Sequence, residues 1–296
     1  MQFTEQSRRA GRVLLMVIGC LLAAVLVFSI LGAVSGESAL GWQSYRYSGE
    51  GYTVGEGTVP HANITRIELD WLDGAVEIVA CDDTFVSLTE SADTPLAEAM
   101  KVRWRVDENG TLSIKYRKST WFVGFGMGQA NKKLTLRIPK SMFASIETLA
   151  VEATSADVAV SDLSLSHLSA VLGAGNLKLE RCAFAACKLN ATRGEVTLLS
   201  CSVKHFSAAL ESGDLMLDVS QCPEEVEIEM GRGDAELGLP ADADFTLSYQ
   251  TKSGDLISDF SLQKQGELHL CGKGGASFLV KTASGDLILT QNNDLE

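Results

Sequence analysis

SADVAVSDLSLSHLSAVLG (residues 155–173), AGNLKLERCAFAACKLNAT (174–192) and RGEVTLLSCSVKHFSAALE (193–211), followed by SGDLML (212–217), are successive copies of one unit. After each polar corner the apolar residues alternate: Val158/Val160, Leu177/Leu179, Val196/Leu198 and Leu215/Leu217. A period of two means a strand with one face buried. A second alternating strand lies upstream of each following corner, as in Leu168/Ala170/Leu172, Cys187/Leu189/Ala191 and Phe206/Ala208/Leu210. The corner residue recurs at Asp157, Asn176, Glu195, Asp214, Asp234, Asp255 and Asp286, in steps of 19, 19, 19, 20, 21 and 31, so the last step carries an insertion. DGAVEI at Asp73 is a degenerate earlier copy.

Two short strands and two turns in ~20 residues are too few for a propeller blade or a helix-containing repeat, and fit one coil of a parallel β-solenoid with coils ~4.8 Å apart. The fold class expected is all-β: a single-stranded parallel β-solenoid (β-helix) with a β-rich N-terminal cap, preceded by one transmembrane α-helix. One coil buries too little apolar surface to offset the entropy of ordering it, so coils must stack and the ends must be capped. The cap is expected in the longer alternating strands ITRIELDWL, VEIVAC, FVSLTE, KVRWRVD, TLSIKYRK and KLTLRIP, with a hairpin turn at residues 107–110, DENG.

Residues 13–34, VLLMVIGCLLAAVLVFSILGAV, carry no charge. A helix of this length at ~1.5 Å per residue spans a ~30 Å hydrocarbon layer. Arg8, Arg9 and Arg12 precede it and Arg46 follows, which keeps the N-terminus cytoplasmic and sends the rest across. The competing reading is a cleaved signal peptide, with small residues at Ala33-Val34-Ser35. The expected organisation is therefore a cytoplasmic N-terminus (1–12), anchor (13–34), juxtamembrane linker (35–61), β cap region (62–145) and solenoid with its C-terminal cap (146–296). The expected location is the cell membrane, single-pass, with the C-terminal domain extracytoplasmic.

The chain has 25 Lys and Arg against 38 Asp and Glu, a net charge of −13. Such a surface repels phosphate backbones, so nucleic acid is not an expected partner. Six of the seven cysteines lie outside the apolar run, and none forms a CxxC pair, which leaves zinc and thioredoxin-like readings without support. Cys182 and Cys201 are one period apart in a column shared with Leu163, and Cys187 aligns with Leu168 and Phe206. Exchange with large apolar residues points to core thiols. A Cys182–Cys201 bridge stays open, because adjacent strands bring Cα atoms within disulfide reach.

The acidic column from Asp157 to Asp286 reads in two ways, as turn chemistry in which Asp and Asn bond local backbone, or as a calcium ladder. The nonapeptide spacing of calcium β-rolls is absent, which favours turns. Arg232-Gly233-Asp234 spells an integrin-type tripeptide, but falls where the repeat demands a corner. His167 and His205 are two periods apart with Ala186 between them, ~9.6 Å in a stack, too far to share a metal. Trp121, Phe122, Phe125 and Met127 sit on glycine hinges and form the candidate partner-contact loop, with burial against the solenoid's end as the alternative. No nucleophile elbow, phosphate loop or HExxH is present. No catalytic residue, cofactor or metal ligand is assigned.

The repeated SGDL strands, above all YQTKSGDLISDF and VKTASGDLILTQ, the KLTLRIP strand before them and the aromatic-glycine stretch ahead of it resemble the bacterial "putative adhesin" family, a domain of unknown function. The resemblance covers residues 64–290. It implies a non-catalytic β-solenoid at the bacterial cell surface, often behind one anchor helix. The function expected is a putative adhesin or cell-envelope binding scaffold. Its partners would be the membrane, through the N-terminal helix, and a surface protein or glycan. The alternatives are an envelope-stress sensor acting with a membrane partner and a carbohydrate-active β-helix enzyme.

Overall fold

Residues 45–60, 63–120 and 131–292 are described by the computed structural model. The chain divides into two compact units. In the smaller, Tyr45 forms an antiparallel bridge with Thr120, and the Tyr47 amide donates to Ser119 Oγ at 3.1 Å. The larger, Gly51–Arg117 with Gln129–Glu296, holds the repeats.

The larger unit is all-β, with coils of parallel strands stacked in register, a β-solenoid-like arrangement. Strand Thr148–Ser161 supplies a whole coil; Ser164–Ala174 with Leu177–Glu180 supplies the next, paired Leu168 on Leu149 and Leu177 on Val158. Ala183–Arg193, Val196–Ser212 and Leu215–Val219 continue the climb at the 19-residue spacing of the sequence, so that Cys187 lies between Leu168 and Phe206. Alternation then decides burial. Val76, Val158, Leu177, Val196 and Leu215 form one unbroken file, each 1% exposed. A parallel file runs Ile67, Leu149, Leu168, Cys187, Phe206, Val226, Phe278 and Leu247.

Both ends depart from chain order. Strand Arg66–Cys81, read from sequence as part of a cap, is itself a coil: it pairs in parallel with Thr148–Ser161 on one side, and with Thr111–Lys115 and Lys133–Pro139 on the other. The chain runs outward, lays down the 111–139 layer, then returns to the inner side. At the far end Glu225–Arg232 pairs with Ala276–Ser284, which pairs in turn with Phe245–Thr251. The last coil in sequence is thus the penultimate coil in space. Antiparallel strands close each end, Ser87–Ser91 and Arg103–Val106 at one and Leu268–Cys271 at the other. The outermost strands at the N-terminal end, Thr53–Val54 and Gly57–Thr58, are two residues long, which limits edge-to-edge pairing with other chains there. The Asp107 carboxylate accepts the Asn109 and Thr111 amides and closes the hairpin at Gly110.

The expected membrane location does not stand. Among the described residues no helix is long and apolar enough to cross a membrane. The apolar run 13–34 lies outside the described residues, as do Trp121, Phe122, Phe125 and Met127.

Candidate binding face

Repeated corners set the geometry of the faces between them. At one corner the backbone has positive φ, at Gly74, Gly175, Gly194, Gly213, Gly233, Gly254 and Gly285, with Ala156 at that place in the coil of Thr148–Ser161. The reason is close stacking: a Cβ on Gly213 would sit 1.9 Å from the Gly194 carbonyl oxygen. The next residue then bonds across coils. Asp157 Oδ1 accepts the Asn176 amide at 2.8 Å, Asn176 Oδ1 the Glu195 amide at 2.9 Å and Asp214 Oδ1 the Asp234 amide at 2.9 Å. The acidic column is therefore turned onto backbone N–H groups, which is the turn reading of these residues. Among the described residues no cluster of three or more His, Cys, Asp or Glu side chains could hold a metal ion. Arg232-Gly233-Asp234 is one of these corners, with Asp234 Oδ1 occupied by the Asp286 amide.

The opposite corner uses non-glycine residues in left-handed backbone, Asp162, Arg181 and Ser200, at φ 60°, 52° and 52°. Arg181 donates to both carboxylate oxygens of Asp162, at 2.7 and 2.9 Å, and also reaches Glu180. Its guanidinium holds the Asp162 carboxyl below the usual range.

Between the corners, outward side chains form straight files. One contains His167, Ala186, His205 and Glu225, and its neighbour Ser169, Lys188, Ser207 and Glu227. Ala186 is short where both neighbours carry imidazoles, so a shallow depression of about 360 Å³ opens over it. Its charge is graded. Lys188 lies at the centre and Glu225 and Glu227 at one side, while His205 Nδ1 is 3.4 Å from Glu225 Oε2. The site is wet: the His205 and Glu225 side chains are 52% and 66% exposed. Sequence spacing had aligned His167, Ala186 and His205; what it missed is that the small residue between them makes a recess.

A buried lysine escaped the sequence reading altogether. Lys132, 1% exposed, lies over the Trp71 and Tyr116 rings at 4.7 and 4.3 Å. It pairs with Glu90 at 2.5 Å and donates to the Met100 and Tyr116 carbonyls. Burial pulls its pKa down to about 8. Four stretches of the N-terminal end meet on this one ammonium. It has no periodic signature, because it sits just before strand Lys133–Pro139 rather than repeating within the coils.

Stacked parallel coils and corner glycines define a repeat-built all-β protein. The chain belongs to the Toastrack DUF4097 family, a domain of unknown function, which it matches over residues 64–290. It is also similar to three crystal structures. A "putative adhesin" from Bacteroides fragilis is 13% identical, covering 81% of this chain and 97% of that one, with a TM-score of 0.46. A "putative cell adhesion protein" from Clostridium sporogenes is 12% identical, covering 81% and 99%, at 0.43. A "putative adhesin" from Parabacteroides distasonis is 13% identical, covering 82% and 98%, at 0.40. No curated protein matches the chain.

Proposed function

We propose that this chain is a non-catalytic, adhesin-like binding scaffold whose flat face takes an extended, hydroxyl-rich polymer of the cell envelope. The observation that carries this is the recess over Ala186 between His167 and His205, on a face of in-register strands. Ser169, Ser207, Lys188, the imidazoles and Glu227 together offer donors and acceptors to sugar hydroxyls at a ~4.8 Å coil spacing. Catalytic sites are usually concave and dry, where charge is worth most. This recess is shallow and its ionisable groups stay hydrated, which suits recognition.

The test is recovery of cell-envelope glycan and protein fractions on immobilised protein. Wild type is compared with Ala186→Arg, which fills the recess, and Lys188→Glu, which inverts its central charge. Glycan retention should fall at least ~10-fold in both. Equal retention by all three proteins overturns the assignment, and retention of protein alone replaces the glycan with a surface protein.

A further inference from the structure

Cys182 and Cys201 occupy neighbouring coils, each immediately after a corner residue in left-handed backbone. The following residues, Ala183 and Ser202, are register partners, and the Cys182 carbonyl accepts the Ser202 amide at 2.8 Å. Adjacent coils hold backbones ~4.8 Å apart, inside the ~4.4–6.8 Å Cα range of disulfides. Both thiols are free: Cys182 donates to the Val160 and Glu180 carbonyls at 3.6 and 3.4 Å, and Cys201 to the Leu199 carbonyl at 3.4 Å.

We infer that Cys182 and Cys201 are an oxidisable pair, a covalent modification site at which a disulfide clamps two adjacent coils in the middle of the stack. The third nearby thiol, Cys187, lies further along the same coil, stacked between Leu168 and Phe206. Burial pushes it well above the usual thiol range, so it is the least reactive of the three. Within the pair, the neighbouring Cys201 thiol draws the Cys182 thiol down, while Cys201 is held up by Cys182 and by burial. Cys182 is thus the first thiolate.

With hydrogen peroxide as oxidant the chemistry balances. The Cys182 thiolate attacks one peroxide oxygen and the O–O bond breaks. A sulfenic acid forms, and the departing hydroxide takes up a proton to become water. The Cys201 sulfur then attacks the sulfenic sulfur, and its proton leaves with the displaced hydroxyl as a second water. Two thiols lose two electrons and two protons, and peroxide is reduced to two waters. Both cysteines are at most 2% exposed, so the reaction waits on local opening of the corner.

The experiment treats the reduced full chain with peroxide at pH 8, alkylates it in denaturant and maps tryptic peptides without reduction. Peptides 182–188 and 194–204 should appear joined, two hydrogens lighter than their sum, and separate on adding dithiothreitol. Fragmentation should place the bond on Cys182. The oxidised protein should melt several degrees higher than the reduced one, because the bond closes a loop of ~19 residues in the unfolded chain. Cys222→Ser should keep that shift, and Cys182→Ser and Cys201→Ser should lose it. A link through Cys187, a link between chains, or both sulfurs recovered as free or over-oxidised residues in the wild-type map overturns the assignment. The map needs no variant to fold.

Discussion

Asp234 and Asp286 are 52 residues apart in sequence and neighbours in the stack, the Asp234 Oδ1 accepting the Asp286 amide at 2.8 Å. Asp286 Oδ1 in turn accepts the Asp255 amide at 2.8 Å. The corner ladder therefore runs Asp214, Asp234, Asp286, Asp255, and the coil of residues 245–258 stands outside the coil that follows it in the chain. The repeat chemistry makes this exchange possible, since each SGDL corner presents the same acceptor to whichever corner lies above it.

The corner glycines should be the least replaceable residues of the fold. In Gly213→Ala the new Cβ would lie 1.9 Å from the Gly194 oxygen at φ +134°, and backbone of the neighbouring coil cannot yield as a side chain would. A loss on the order of 3–5 kcal/mol is expected in urea unfolding. Gly266→Ala, at φ +65° with nothing within 4 Å, should cost only ~1 kcal/mol.

At the other corner the expectation reverses. Ser200 holds φ 52° on the surface, and its amide donates to Asp218 Oδ2, a bond that survives side-chain removal. Left-handed backbone costs a non-glycine residue ~1–2 kcal/mol, against ~0.5–1 kcal/mol of extra chain entropy for glycine. Ser200→Gly should therefore stabilise by ~0.5–1 kcal/mol. Arg181→Gly should show no such gain, because it forfeits both bonds to Asp162.

These corners also mark how far the sequence could be read. The period, the alternation and the file from Val158 to Leu215 were legible, because identical coils impose identical choices on Val158, Leu177 and Val196. Stacking order at the ends was not: DGAVEI at Asp73 was visible as a copy, but nothing in a repeat says which copy lies on which. The candidate face was half legible. Spacing aligned His167 with His205, whereas the recess depends on how far the Ala186 side chain falls short of its neighbours. Lys132 was illegible, since its partners Glu90, Trp71 and Tyr116 are scattered along the chain and meet only in the folded end.

That lysine gives the stability a pH dependence. Its folded pKa of about 8 lies below the ordinary 10.5. Between these values the unfolded chain binds more protons than the folded one, so this group's contribution rises as pH climbs. Below pH 8 both states are protonated and the burial cost is borne in full. Lys132→Met should lose ~3–5 kcal/mol at pH 7, because Glu90 stays buried without its cation. From pH 7 to 9.5 the wild type should gain a further ~1–2 kcal/mol over the variant in urea unfolding. A pH-independent difference would place the Lys132 proton elsewhere.

Inverted order at the C-terminal end should be visible in hydrogen exchange. If the stack frayed in chain order, residues 284–291 would open first. In space Leu287–Asn292 is held on both sides, by Ala235–Pro240 and by Leu256–Ser258. Among the described residues, Leu256–Ser258 pairs on one side only, and Ile257 is 50% exposed. Peptides covering 253–260 should therefore take up deuterium at least ~10-fold faster than those covering 284–291. The same geometry makes a C-terminal truncation costlier than it looks. Removing residues 276–296 takes from Phe245–Thr251 its parallel neighbour and leaves Leu256–Ser258 with none. While residues 245–248 keep Leu268–Cys271, protection over 249–258 should therefore vanish along with the deleted coil. Retained protection there would mean that the two coils had stacked in chain order after all.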